Sequence, residues 1–228
     1  MKARSLLLQV SPEIGKVSAE LIAPQNPICV VTLAHGAGAG MNHDFMIAIS
    51  KLLAEKDITT LRFNFPFMEN KKGRPDSPAV AQKTIEAAII KAQKLFPSLP
   101  LFAAGKSFGG RMTSQYLATQ PAIDVKGIIF FGFPLHQSGK PSIDRAEHLK
   151  SVKVPMLFLQ GSRDELASYD LIEKVCSSLR LATLVKIEGA NHAFKAGKQE
   201  ILPMLASATR TWIDKKIKTV TKKKPNDK

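Results

Sequence analysis

From residue 28 onward, short, largely apolar runs, the first of them continuous and β-branched, alternate with longer stretches in which apolar positions recur every three or four residues. A strand covered on both faces needs the first pattern, and the amphipathic helices that cover it show the second. The alternation therefore predicts an α/β fold: one domain built on a mostly parallel central sheet, with helices on both faces. The strand-like runs are 28–34, 58–63, 101–104, 125–131, 154–160 and 183–187. The helix-like stretches are 45–56 with Asp44 as its cap, 77–96 closed by Pro97, a segment after Ser107 that reaches Thr119, 169–179 and 199–218. Ahead of them, 6–10 and 17–23 flank a turn containing Pro12 and Gly15, which predicts an N-terminal antiparallel hairpin. Residues 64–76 form a long loop, aromatic first and cationic afterwards, with the composition to line a substrate pocket, although for any single residue in it a plain surface role is expected. The connection 132–153 has short helical potential and is too short for a large lid domain.

Ligands of such sheets gather at the carboxyl ends of the strands, and four loops there carry suitable chemistry. Gly105-Lys106-Ser107-Phe108-Gly109-Gly110 follows a strand and opens a helix, the setting of a nucleophile elbow. A phosphate loop ending in Gly-Lys-Ser would require a glycine five residues before Gly105, where Pro100 stands. His35-Gly36-Ala37-Gly38-Ala39-Gly40 follows another strand. Its glycine spacing does not fit a dinucleotide fingerprint, and Arg62-Phe63-Asn64 stands where the ribose-binding acid is expected. A His-Gly-small-Gly loop does suit the supply of one backbone N–H to an oxyanion hole, with Ala37 best placed and Gly38 next. Gly161-Ser162-Arg163-Asp164 follows a third strand, and of the five histidines His192 follows the last one.

A serine hydroxyl becomes nucleophilic when an imidazole takes its proton, and a carboxylate fixes that imidazole's tautomer. Ser107, His192 and Asp164 fill those roles, with Glu165 or Asp170 as alternative acids. The Phe108 and Ala37 amides are the expected oxyanion donors. Gly38, Lys106 and Arg111 are candidate substrate contacts, the two cations for an anionic group. His35 is expected to shape the glycine loop through a ring hydrogen bond.

Through these four motifs the chain resembles the α/β-hydrolase superfamily over residues 5–215. The serine, acid, histidine order, with separations of 57 and 28 residues, is the order of that superfamily. His35-Gly-Ala-Gly-Ala-Gly, Arg62-Phe-Asn-Phe-Pro and Gly105-Lys-Ser-Phe-Gly-Gly-Arg look like the compact dienelactone-hydrolase-like proteins related to the testis-expressed and chromatin-complex group. Dienelactone hydrolases proper have a cysteine nucleophile where this chain has Ser107, so their specific reaction is not implied. The resemblance implies a serine hydrolase that cleaves an ester, thioester or related acyl bond of a small molecule through an acyl-enzyme. Two alternatives use the same fold: a protein-interaction scaffold, marked in sequence by a damaged triad, and an acyltransferase, which would need water excluded. No metal or organic cofactor is implied.

Composition modifies this picture little. The formal charge of +14 includes a net +6 from residues 215–228, where seven lysines face one aspartate, so the domain is taken as 1–214 and the rest as a basic tail. Without a basic helix interleaved with aromatics, nucleic acid is not an expected partner. No apolar run reaches the length of a membrane span, and the apolar N-terminal stretch ends at Gln9, too soon for a signal peptide. Two cysteines with no disulfide framework suit a reducing, cytoplasmic setting, and a monomer or homodimer is expected.

Overall fold

In the computed structural model, which describes residues 2–221, the apolar runs lie side by side in one eight-stranded sheet. The hairpin strands β1 (Arg4–Ser11) and β2 (Gly15–Ile22) pair antiparallel, and β2 joins the sheet through an antiparallel pairing with β4 (Ile58–Phe63). From there β3 (Cys29–Ala34), β5 (Leu101–Lys106), β6 (Ile128–Phe131), β7 (Met156–Gly161) and β8 (Ala182–Ile187) follow in parallel, in the spatial order β1-β2-β4-β3-β5-β6-β7-β8. Every residue of β3, β4, β6 and β7 is buried, the polar Thr32, Thr59, Thr60, Arg62 and Gln160 among them, because both faces of these strands are covered.

Alternate residues of the parallel strands feed two separate cores. On one face Val30, Ala103, Ile128 and Phe158 pack under α3 (Pro78–Leu95), α4 (Phe108–Thr119) and α5 (Tyr169–Ser177). On the other, Val31, Phe102, Ile129 and Leu157 pack under α1 (Asp44–Ala54) and α6 (Ile201–Thr221). Cys29 and Cys176 are unpaired and sit one in each core, where burial pushes each thiol up to about 12. Among the described residues no helix is long and apolar enough to cross a membrane.

Local chemistry moves several expected boundaries. The cap of α1 is His43, whose Nδ1 accepts from the Phe45 N–H at 3.2 Å, rather than Asp44, which lies in the first turn where its charge suits the helix dipole. The strand expected over 125–131 begins at Ile128, and part of 132–153 forms a 3-10 helix, Asp144–Ser151. The first part of the 64–76 loop is not surface: it contains α2 (Pro66–Glu69), and Phe65 and Phe67 are fully buried against each other and Phe108. Burying two phenyl rings stabilises by a few kcal/mol, about 1.5–3 for each, which outweighs the loop character of the flanking residues. Helix α6 runs through the expected boundary at 214, and residues 222–228 of the lysine-rich stretch lie outside the described residues.

Candidate active site

The turn between β5 and α4 leaves no room for side chains at its glycines. A β-carbon on Gly105 would stand 2.2 Å from the Gly110 nitrogen, and one on Gly109 2.5 Å from the His35 carbonyl oxygen. Between them Ser107 takes φ 50° and ψ −116°, a left-handed conformation that a non-glycine residue adopts only under constraint from its surroundings. That strain projects its hydroxyl out of the end of the sheet.

Two further strands bring partners to it. His192, in the loop after β8, has Nε2 2.8 Å from Ser107 Oγ. Its Nδ1 lies 2.8 and 3.0 Å from the two oxygens of Asp164, just beyond β7. An ionised carboxylate only accepts, so Nδ1 carries the proton and Nε2 is left to accept from the serine. The Asp164 side chain is 1% exposed and fully engaged: Gln160 Nε2 donates to Oδ2 at 2.6 Å and the Leu166 N–H to Oδ1 at 2.8 Å. Gln160 in turn accepts from the Phe133 N–H at 2.9 Å, so the acid is fixed from two elements. Glu165 does not reach the imidazole; its carboxylate accepts from the backbone N–H of His192 at 3.1 Å. Burial works against the Glu165 charge, but these amide contacts and Lys106 hold its carboxyl below the ordinary range.

Lys106 is bonded inside the site. Its Nζ donates to the His192 carbonyl at 2.6 Å and lies 5.8 and 5.2 Å from the ring centroids of Phe45 and Phe194. Burial lowers this ammonium to about 8, against the opposing pull of Asp164 and Glu165. The cation expected to meet an anionic substrate thus ties the strand before Ser107 to the loop of His192. Arg111, one turn into α4, does not line the cavity at Ser107; its Nε is buried without a hydrogen-bond partner, and burial and the charge of Arg145 both work against its own charge. His35 behaves as expected of a loop-shaping residue: it is buried, its Nδ1 bonds the Gly36 carbonyl at 2.7 Å, and burial brings it down to about 4, so the ring is neutral.

A cavity of about 410 Å³ opens over Ser107 and His192. Ala37 and Gly38 lie in its wall with Ala39 and Lys106, and Phe108 is the first residue of α4. Sequence reasoning missed Phe45, Met46 and Leu166 in that wall, and Gln160 behind Asp164. Gln160 did leave a signal, as a polar residue ending an apolar strand. Among the described residues no group of three or more His, Cys, Asp or Glu is placed to hold a metal ion.

A model of the alpha/beta hydrolase domain family matches residues 27–214. Among solved structures, an alpha-beta serine hydrolase homologue from Coxiella burnetii superposes with a TM-score of 0.75 at 21% identity, covering 93% of this chain and 98% of that one. A dienelactone hydrolase from Anabaena variabilis gives 0.73 at 19% identity over 94% of this chain and 99% of that one. A Mycobacterium tuberculosis protein whose name is that of a phosphoribosyl transferase is 24% identical over 184 residues, 78% of this chain. The chain spans 40% of that protein's length.

Proposed function

The chain belongs to the alpha/beta hydrolase domain family, and from that premise we propose that it is a serine hydrolase cleaving an ester, thioester or related acyl bond of a small molecule. The observation that carries this reading is the continuous relay from Asp164 through His192 to Ser107, with both ring nitrogens within 3.0 Å of their partners. Ser107 Oγ attacks the acyl carbon while its proton passes to His192 Nε2. The oxyanion forms against the backbone N–H groups of Phe108 and Ala37, and Asp164 stabilises the imidazolium. The C–O or C–S bond then breaks, His192 returns the proton to the leaving group, and the acyl group remains on Ser107. Water, deprotonated by the same histidine, attacks that ester and releases the acid.

Small and apolar side chains, Ala37, Ala39, Phe45, Met46, Leu166 and Ala193, line most of the cavity and suit an apolar acyl group. The two unpaired cysteines support a cytoplasmic setting as part of this reading. A fluorophosphonate probe followed by intact-mass measurement tests it. The wild type should gain one adduct and Ser107→Ala none, with ester turnover abolished in the variant. An adduct or turnover that survives Ser107→Ala would sink the assignment, and an unlabelled wild type would favour the scaffold reading.

A further inference from the structure

The Arg62-Phe-Asn-Phe-Pro motif takes no part in the chemistry above, yet its position is particular. It closes β4, the parallel neighbour of β3, so the loop after β4 runs beside the glycine loop after β3. Two of its groups bond opposite ends of that loop. At the start, the Phe65 N–H donates to His35 Nε2 at 2.9 Å. At the far end, the Met41 N–H donates to Asn64 Oδ1, also at 2.9 Å. A β-carbon on Gly40 would stand 2.8 Å from that same Oδ1, so the loop backbone lies directly against the asparagine. Between the two ends support is sparse: a β-carbon on Gly38 would meet nothing within 4 Å.

Asn64 is itself braced. Its Nδ2 donates to Glu69 Oε2 at 2.9 Å, and Glu69 accepts from Ser18 through the backbone N–H at 3.1 Å and the hydroxyl at 2.7 Å. An amide between an N–H donor and a carboxylate has one workable orientation, so both ends of the Asn64 side chain are committed. The brace runs back to β2, a part of the sheet remote in sequence from the elbow.

We propose that Asn64 is a positioning residue for the oxyanion hole: backed by Glu69 and Ser18, it holds the loop 36–41 so that the Ala37 amide stands ready beside Ser107. The inference rests on the hydrolase reading and adds to it a second segment that governs the rate without touching substrate.

Two measurements on the full chain test it: peptide-resolved hydrogen–deuterium exchange, and steady-state kinetics with p-nitrophenyl acetate and its thionocarbonyl analogue. Sulfur accepts hydrogen bonds poorly, so the preference for the oxygen ester reports on the oxyanion donors. In Asn64→Ala, exchange over 36–41 should rise about tenfold or more while β5 and α4 keep their protection. The kcat for the oxygen ester should fall about 10²-fold, the effect of misplacing a catalytic group by about 1 Å, with KM within about twofold and a smaller oxygen-over-sulfur preference. Glu69→Ala should shift the same quantities less. Glu69→Gln should restore them, because its Oε1 can accept from Asn64 and the Ser18 N–H while its Nε2 donates to the Ser18 hydroxyl. Wild-type protection of 36–41 with an unchanged oxygen preference in Asn64→Ala overturns the proposal, as does protection lost equally across the sheet. Should Asn64→Ala fail to fold, Glu69→Ala reads the same quantities one bond further out. A wild type that neither labels at Ser107 nor turns over removes the hydrolase reading and the oxyanion role together, and the exchange data alone then decide whether Asn64 holds the loop.

Discussion

The elbow and the glycine loop are both glycine-rich turns at the carboxyl ends of neighbouring strands, β5 and β3, and they keep their shapes by different means. The elbow is fixed mostly by exclusion within itself: Gly105 and Gly110 touch backbone to backbone, and Ser107 is left in a strained conformation it could not hold alone. The glycine loop has space around its centre and is pinned only at its ends, by groups thirty and twenty-three residues further along the chain. A turn shaped by its own sterics is encoded where it stands. A turn shaped by hydrogen bonds from elsewhere is encoded in two places, and either one can be altered without changing the other's sequence.

Substitutions that fill the glycines separate the two cases most sharply. Gly105→Ala places a β-carbon 2.2 Å from the Gly110 nitrogen, with only backbone to move out of the way. The expected cost exceeds about 4–5 kcal/mol, against a typical total of about 5–15, so little folded protein should be recovered. Soluble yield and a urea transition measure it, and a wild-type midpoint would mean the elbow is more pliable than its contacts imply.

An intermediate effect is expected from pH, through the end of the glycine loop. His35 is held at about 4 in the folded chain against an ordinary 6.5, because burial disfavours its charge more than the Gly36 carbonyl supports it. Between those values the unfolded chain binds a proton that the native ring refuses. The stabilisation is therefore complete above pH 6.5 and is lost as pH falls toward 4, by about 3 kcal/mol in all. His35→Gln, which can still accept from the Phe65 N–H, should flatten this limb when urea midpoints at pH 7 and pH 4.5 are compared. His148, lowered to about 4 by burial and by Arg111, gives the same slope to both proteins and does not disturb the difference. Parallel curves for the two would show that His35 is not the group responsible.

The smallest effect belongs to the middle of the loop. Gly38→Ala meets open space and keeps an ordinary backbone angle, so its stability should lie within about 0.5 kcal/mol of wild type by the same urea transition. A larger loss would mean that the loop centre is held by more than its two ends.

The same distinction marks what could be read from the sequence. Ser107 and the order of strands and helices were legible because elbow sterics and apolar periodicity act over a few residues. His192 and Asp164 followed once strand order placed their loops at one end of the sheet. What stayed hidden is mostly side-chain contact between distant segments, Lys106 reaching the His192 carbonyl and Asn64 reaching the Met41 N–H, together with one pair only four residues apart, Gln160 and Asp164, that meets through the shape of the turn after β7. Arg111 was misplaced for a related reason, since adjacency to the elbow in sequence says nothing of the side on which a helical residue emerges. His43 replaced Asp44 as cap because a one-residue shift in helix start lies below what composition can resolve.

The two buried cysteines bear on how such experiments can be labelled. Electrophiles react with thiolates, and with both thiols raised to about 12 and enclosed in the cores the thiolate fraction at neutral pH is negligible. The chain contains no other cysteine. A single cysteine introduced on the surface, for example at exposed Ser138, would be the one site to accept a maleimide dye or spin label. The native chain can therefore serve unchanged as the background for fluorescence or distance measurements, with no need to remove its own thiols and disturb the packing around them.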